Sequence, residues 1–339
     1  MRLEPPGWWY RPEVTAVARV LQPLGLLVSA VANNRFERTK PYRSSLPVIC
    51  IGNLTAGGAG KTPIALCLAR LLTAARRKPG FLTRGFGGSN AGPHHVEVSR
   101  DGPADVGDEA LLLARQAATV VARDRAAGAK LLEALALDVI IMDDGLQNPG
   151  LAKQLAIAVL DPQRMIGNGL VMPAGPLRAE LAGQLRRTHA LVVLCGQGEQ
   201  IPVLPPALRG FSGPVLRAEL SADMAAANSL KGKRVIAYAG IGRPSKLFDT
   251  LRGLGANVVA EQAFPDHHRF SPAEADRLVA LANMQRALLV TTEKDLARLP
   301  VEGRSGELRR ASVALPVTAQ FAGRDFDRLV SLLELLLSR

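Results

Sequence analysis

The chain has 339 residues, which at about 150 residues per domain predicts two domains. Its 47% hydrophobic and 21% charged content excludes disordered and fibrous classes, and 3 cysteines exclude a disulfide scaffold. Of the net charge of +12, +10 falls within the first 96 residues, so an anion-facing front end precedes a nearly neutral remainder. Cys50, Cys67 and Cys195 lie in apolar segments, as reduced, buried thiols of a cytosolic protein would. Few aromatics (Trp 2, Tyr 3, Phe 9) and no recognition motif argue against nucleic acid as a partner.

The first element is a helix expected over residues 13–33. Glu4, Glu13 and three prolines precede its apolar part, which argues against a cleaved signal peptide. The uncharged run 20–34 contains Pro23 and is shorter than the roughly 20 residues a spanning helix needs. Trp8, Trp9 and Tyr10 gather at one end, and Arg35, Arg38, Lys40 and Arg43 follow at the other. Two uses stay open: a helix at a membrane interface, paired with anionic head groups, or an ordinary helix packed on the core.

From residue 47 the chain alternates apolar strands (47–53, 80–84, 118–122, 138–144, 155–161, 190–195) with helices (61–76, 108–116, 124–135). That pattern predicts an α/β fold, a P-loop-type parallel sheet with helices on both faces. A Gly- and Pro-rich stretch, 196–212, reads as a linker. A second alternation follows: strand 234–242, helix 245–254, strand 257–264, helix 272–283, strands 287–295 and 315–321, helix 324–338. The expected division is an N-terminal membrane-associated helix and basic tail (1–40), a P-loop core (41–212) and a second, smaller α/β lobe (213–339).

Between the first strand and its helix stands PVICIGNLTAGGAGKTP, from Pro47 to Pro63. Small residues let successive backbone N–H groups close around phosphate oxygens, and the helix start adds its positive end. Asn53, Thr55, Ala56, Gly57, Gly58, Ala59, Gly60, Lys61, Thr62 and Pro63 form this nucleotide loop. Lys61 supplies a cation for the β/γ-phosphates, and Thr62 a hydroxyl for Mg²⁺. Thr55 replaces the first Gly of the strict P-loop pattern. DVIIMDDG matches a Walker B strand, with Asp143 and Asp144 placed to orient Mg²⁺. Asp161 ends the next strand and is a weaker candidate. These residues point to nucleoside-triphosphate hydrolysis or phosphoryl transfer. One reading is a membrane-associated ATPase of the partitioning or division-site type, whose signature Lys is replaced here by Ala56. The other is a small-molecule or lipid kinase.

The segments GNLTAGGAGKTP, TRGFGG (83–88), VGDEALLLA (106–114), VARDRAAGA (121–129), DDGLQN (143–148), GNGLVMPAGPLR (167–178), AGIGRP (239–244), FPDHHRF (264–270) and TTEKDLARL (291–299) occur in one order. Together they resemble the tetraacyldisaccharide 4′-kinase family, the lipid A 4′-kinases of Gram-negative bacteria, over nearly the whole chain. The resemblance implies transfer of the γ-phosphate of ATP, with Mg²⁺, to the 4′-hydroxyl of an acylated disaccharide 1-phosphate lipid, giving lipid IV-A. It implies action at the cytoplasmic face of the inner membrane, as a peripheral or monotopic protein on anionic lipid. It also makes Asp108 the base, paired with His267, with Lys61 acting at the phosphates. Glu109, Asp143 and Asp144 then surround Mg²⁺, and Arg84 and Arg178 meet phosphate or substrate.

The bland counterparts are definite. Gly107-Asp108-Glu109 before an apolar run reads, without the family, as a helix cap. GIG at 240–242 lacks the third Gly of a dinucleotide loop. TTEKD at 291–295 would contact the nucleotide or base, or only close a turn. Arg70 to Arg84 are expected beside the nucleotide. Departures from the family pattern are Ala110 where GDEP is usual, Asn148 where a His is usual, and Arg178-Ala179-Glu180 where REP is usual.

Overall fold

Thirteen strands and twelve α-helices follow one another in the computed structural model, which describes residues 5–11 and 13–337. Glu4, Pro12 and the last expected helical residue, Ser338, lie outside the described residues. The first part contains α1 (Ala16–Arg38), β1 (Val48–Gly52), α2 (Lys61–Ala74), β2 (Pro79–Thr83), β3 (His94–His95), α3 (Pro103–Val106), α4 (Asp108–Ala114), β4 (Thr119–Val121), α5 (Arg125–Glu133), β5 (Val139–Asp143), β6 (Leu155–Leu160), α6 (Leu181–Arg186), β7 (Ala190–Cys195) and β8 (Val215–Ala222). The rest contains α7 (Met224–Leu230), β9 (Arg234–Ala239), α8 (Ser245–Gly253), β10 (Asn257–Ala263), α9 (Pro272–Gln285), β11 (Leu288–Thr292), α10 (Glu293–Arg298), α11 (Gly303–Ala311), β12 (Ser312–Leu315), β13 (Val317–Gln320) and α12 (Gly323–Leu337).

Nine strands make one sheet in the order β13-β8-β7-β6-β1-β5-β2-β4-β3, and four make a second in the order β10-β9-β11-β12. In the large sheet only the edge strands β3 and β13 pair antiparallel; the small sheet is parallel throughout. The central strand β1 shows why. Its residues are apolar on both sides and fully buried. Ile49 and Ile51 pack with Ile64, Leu68 and Leu72 of α2, and Val48 and Cys50 pack with Leu132 of α5 on the opposite face.

The sheets divide the chain differently from the expected boundary at 212/213. β8 pairs with β7, so the stretch 196–212 leads back into the large sheet. The chain leaves that sheet after Ala222 and returns at Pro316, where β13 pairs with β8 and α12 packs Leu329, Leu333 and Leu336 into the large core. Pro316 splits the expected strand 315–321 into β12 and β13, because proline gives a ladder no N–H. The expected strand 287–295 also stops early, since Thr292 caps α10 through its side chain.

Helix α1 runs to Arg38 rather than Asn33, with Thr39 closing its last turn onto the Arg35 carbonyl. Its packed face is a stripe of small residues, Ala18, Gly25 and Ser29, while Val20, Leu26, Leu27 and Val31 are at least 64% exposed. It is long and apolar enough, by length and composition, to cross a membrane. Trp9 departs from the expected interfacial triplet. It is buried, and its indole donates to the Pro173 carbonyl 3.1 Å away.

A β-carbon at Gly25 would lie 2.6 Å from the Val171 carbonyl oxygen. Gly25→Val is therefore expected to lower the urea unfolding free energy by about 1–3 kcal/mol. The same measurement on exposed Leu26→Ala should stay within about 0.5 kcal/mol of wild type.

Candidate active site

The carboxyl ends of β1, β2 and β5 converge on one edge of the large sheet, where open α/β sheets bind ligands. After β1 the chain turns through 53–60. Asn53 is buried and ties the loop from inside, donating to the Gly57 carbonyl at 2.9 Å. Gln147 holds the Asn53 carbonyl at 2.8 Å, and the Ala56 N–H donates to the Pro176 carbonyl at 2.7 Å. Gly60 has φ +82°, and a β-carbon there would lie 2.3 Å from the Leu194 side chain. Only glycine satisfies both the left-handed turn and that space. The turn opens α2 with Lys61 and Thr62, so a 14-residue helix points its N-terminus at the loop.

Strand β5 ends in Asp143, which is fully buried, and neither of its carboxylate oxygens is bonded among the described residues. Burial, reinforced by Glu109 nearby, pushes its carboxyl up well above the usual range. Asp144 follows in a left-handed conformation, φ +52°. It lies 3.8 Å from Lys61 Nζ and 2.9 Å from Arg178 Nη1. Burial opposes its charge, but Lys61 and Arg178 outweigh burial and hold its carboxyl low. Arg178 also donates to the Thr55 carbonyl at 3.1 Å, which fastens the phosphate loop to the Walker B strand.

Asp108 begins α4, and its side chain reaches across to the second lobe. Its Oδ1 lies 3.4 Å from His267 Nδ1 and its Oδ2 lies 2.6 Å from Arg298. Burial raises its carboxyl, yet the His267 hydrogen bond and the Arg298 charge reverse the direction and hold it well below the usual range. Glu109 pairs with Lys294 at 2.6 Å, and that charge likewise overcomes burial to lower its carboxyl. His267 has φ +56°, and its ring meets the edge of Phe86 at 4.9 Å. The lobes also meet at Gly242, where a β-carbon would lie 3.3 Å from the Gly58 nitrogen, and at Asp161, paired with Arg243 and Lys246.

All the sequence-derived acids, Lys61, Thr62 and Arg178 thus meet at one edge. Arg84 follows β2 at the same edge and is exposed. Arg76, Arg77 and Lys78 do not lie beside the nucleotide loop. They follow the far end of α2, about 20 Å from Lys61 at 1.5 Å per residue. His268 is structural: it bonds Glu274, which caps α9 with Ser271, and stacks on Phe264. Asp161 is more than a turn residue, since it joins the lobes. TTEKD offers Lys294 as a contact to the nucleotide or base or as part of a turn, and the structure sets it on Glu109; Arg298 is not singled out by the sequence, since nothing local shows that it meets Asp108. The family departures are accommodated: Ala110 is buried beside Val106 and Val121, and Asn148 accepts from the Gly150 N–H.

A family model described as LpxK, tetraacyldisaccharide-1-P 4'-kinase, matches residues 17–335. A tetraacyldisaccharide 4'-kinase of Methylorubrum extorquens is 50% identical over 306 residues, 89% of this chain and 91% of that one. One of a Methylobacterium species is 46% identical over 333 residues, 98% and 97% of the two chains. The crystal structure of LpxK from Aquifex aeolicus in complex with ATP superposes with a TM-score of 0.74 at 26% identity, covering 95% of this chain and 99% of that one. Between the two readings left by the phosphate loop these matches favour the lipid kinase, and the chain belongs to the tetraacyldisaccharide-1-P 4'-kinase family.

Proposed function

We propose that this protein transfers the γ-phosphate of ATP to the 4′-hydroxyl of a tetraacyldisaccharide 1-phosphate, forming lipid IV-A. The observation that carries the reading is Asp108: a buried carboxylate at the junction of the lobes, backed by His267 and Arg298, which favour its charged form. In the reaction the acceptor oxygen bonds to the γ-phosphorus, the bond from phosphorus to the β–γ bridging oxygen breaks, and ADP leaves with that electron pair. The hydroxyl proton passes to Asp108, and His267 supports the carboxylate. Lys61 and the N–H groups of residues 57–62 hold the phosphates. The residues also fit Mg²⁺. The orphaned Asp143 carboxylate needs a positive partner, and Thr62, Glu109 and Asp144 supply further oxygens. Bound there, Mg²⁺ would neutralise charge building on the phosphate oxygens. Arg84 is exposed at the same edge and suits an anionic group of the lipid.

We further infer that the protein works on the cytoplasmic side of the bacterial inner membrane, as a peripheral protein. Helix α1 stays packed on the core through Ala18, Gly25 and Ser29, so it lies on the bilayer with its larger apolar residues facing lipid. Arg35 and Arg38 in its last turn suit anionic head groups.

Incubation with MgATP and the disaccharide 1-phosphate lipid should add one phosphate to the lipid by mass. Asp108→Ala should cut kcat about 100-fold or more while ATP still binds; a wild-type rate would remove the base assignment. Gly60→Ala should weaken ATP binding at least about tenfold, measured by nucleotide titration, because the loop must change shape. Replacing Val20, Leu27 and Val31 together by Ser should reduce sedimentation with vesicles containing anionic lipid about tenfold or more. Equal sedimentation would sink the membrane role of that face.

A further inference from the structure

We propose that Arg298 is a positioning residue for the phosphoryl transfer: the second lobe supplies its guanidinium to grip one oxygen of Asp108 and leave the other for the acceptor hydroxyl. The inference rests on the reading of Asp108 as the base.

The geometry has three parts. The guanidinium is 6% exposed, and both Nε and Nη2 lie 2.6 Å from Asp108 Oδ2. Its remaining donor, Nη1, is held inside its own lobe, 2.6 Å from Asp295 Oδ1 and 2.6 Å from the Gly240 carbonyl. Asp295 is in turn held by the Thr292 hydroxyl at 2.6 Å and the Gly240 N–H at 3.0 Å. The fork is therefore oriented by the second lobe before it meets Asp108. Of the two Asp108 oxygens it grips Oδ2 alone, while Nη2 also lies 3.5 Å from His267 Nδ1. Oδ1 keeps only the longer 3.4 Å approach of His267 Nδ1, so it retains lone-pair capacity for a proton.

Holding the lobes together does not require this arrangement. Arg243 and Lys246 on Asp161 already do that, away from the base. What the fork adds is two donors converging on Oδ2 from a rigid plane, which fix that oxygen's place as a lysine's rotatable ammonium cannot. A reacting group misplaced by about 1 Å can cost about 100-fold in rate.

The test measures kcat and the ATP KM for Arg298→Gln, Arg298→Lys and Asp108→Asn in the full-length protein, with thermal unfolding as the check on folding. Arg298→Gln should lower kcat about 100-fold with the ATP KM within about threefold of wild type, and Arg298→Lys should fall between the two. A kcat loss below about threefold in Arg298→Lys overturns the proposal. So does an ATP KM that rises in step with the loss of kcat. If Arg298→Gln does not fold, Arg298→Lys decides by the same limits. Asp108→Asn separates the two readings. A wild-type rate there removes the base itself, whereas an inactive Asp108→Asn beside a fully active Arg298→Lys removes only the role of Arg298.

Discussion

Four carboxylates, Asp108, Glu109, Asp143 and Asp144, lie buried or half-buried at one edge of the large sheet, and their repulsion has to be answered by positive charge. Three are answered by protein. Asp144 has Lys61 and Arg178, Glu109 has Lys294, and Asp108 has Arg298. These cations come from different parts of the chain: the phosphate loop, the 167–178 loop, and α10 of the second lobe. Charge balance thus ties the nucleotide loop, the proposed base and the docking of the second lobe into one unit. Of the four, Asp143 alone has no hydrogen-bond partner among the described residues, and it sits where the proposed metal would complete the balance.

The two lobes can serve this unit because the chain crosses between them twice at one place. The Asp223 N–H donates to the Pro316 carbonyl at 2.9 Å, so the outgoing and returning strands are bonded to each other at the crossing. The lobe that results presents a whole sheet edge to the phosphate loop. Gly242 packs on Gly58, His267 and Arg298 meet Asp108, and Arg243 meets Asp161. Of the glycines of GIG, Gly242 gives room to the Gly58 backbone and Gly240 to His268 and Asp295.

Much of this was legible in residue order, for a physical reason. A phosphate loop and a Walker B strand are local devices: a strand, small residues that permit tight turns, and a charged residue at a fixed offset. Lys61, Thr62, Asp143 and Asp144 are therefore readable from a few neighbours. Asp108 and His267 are not. They are separated by nearly half the chain, and locally Asp108 reads as a helix cap; only the family resemblance marked them. Arg298 was invisible, because an arginine on a short helix looks solvated until a partner from another lobe is placed against it. The lobe boundary failed similarly. A Gly- and Pro-rich stretch resembles a linker, but pairing of β8 with β7 is a long-range fact.

The charge asymmetry of the first 96 residues resolves into groups with different surroundings. Lys61 is mostly covered and lies 3.8 Å from Asp144, so its charge acts inside the site. Arg76, Arg77 and Lys78 stand at the remote end of α2 and take no part in that site. Arg35 and Arg38 end α1, whose outer face is apolar and whose packed face is made of small residues. That ordering inverts the usual surface helix, which turns its large apolar side chains inward. Small residues let α1 approach the 165–180 loop closely, and the large ones are left to face something other than this chain. An apolar face bounded by basic residues suits a bilayer surface. It also lies beside the loop that carries Arg178 to Asp144, since Gly25 packs on Val171 of that loop.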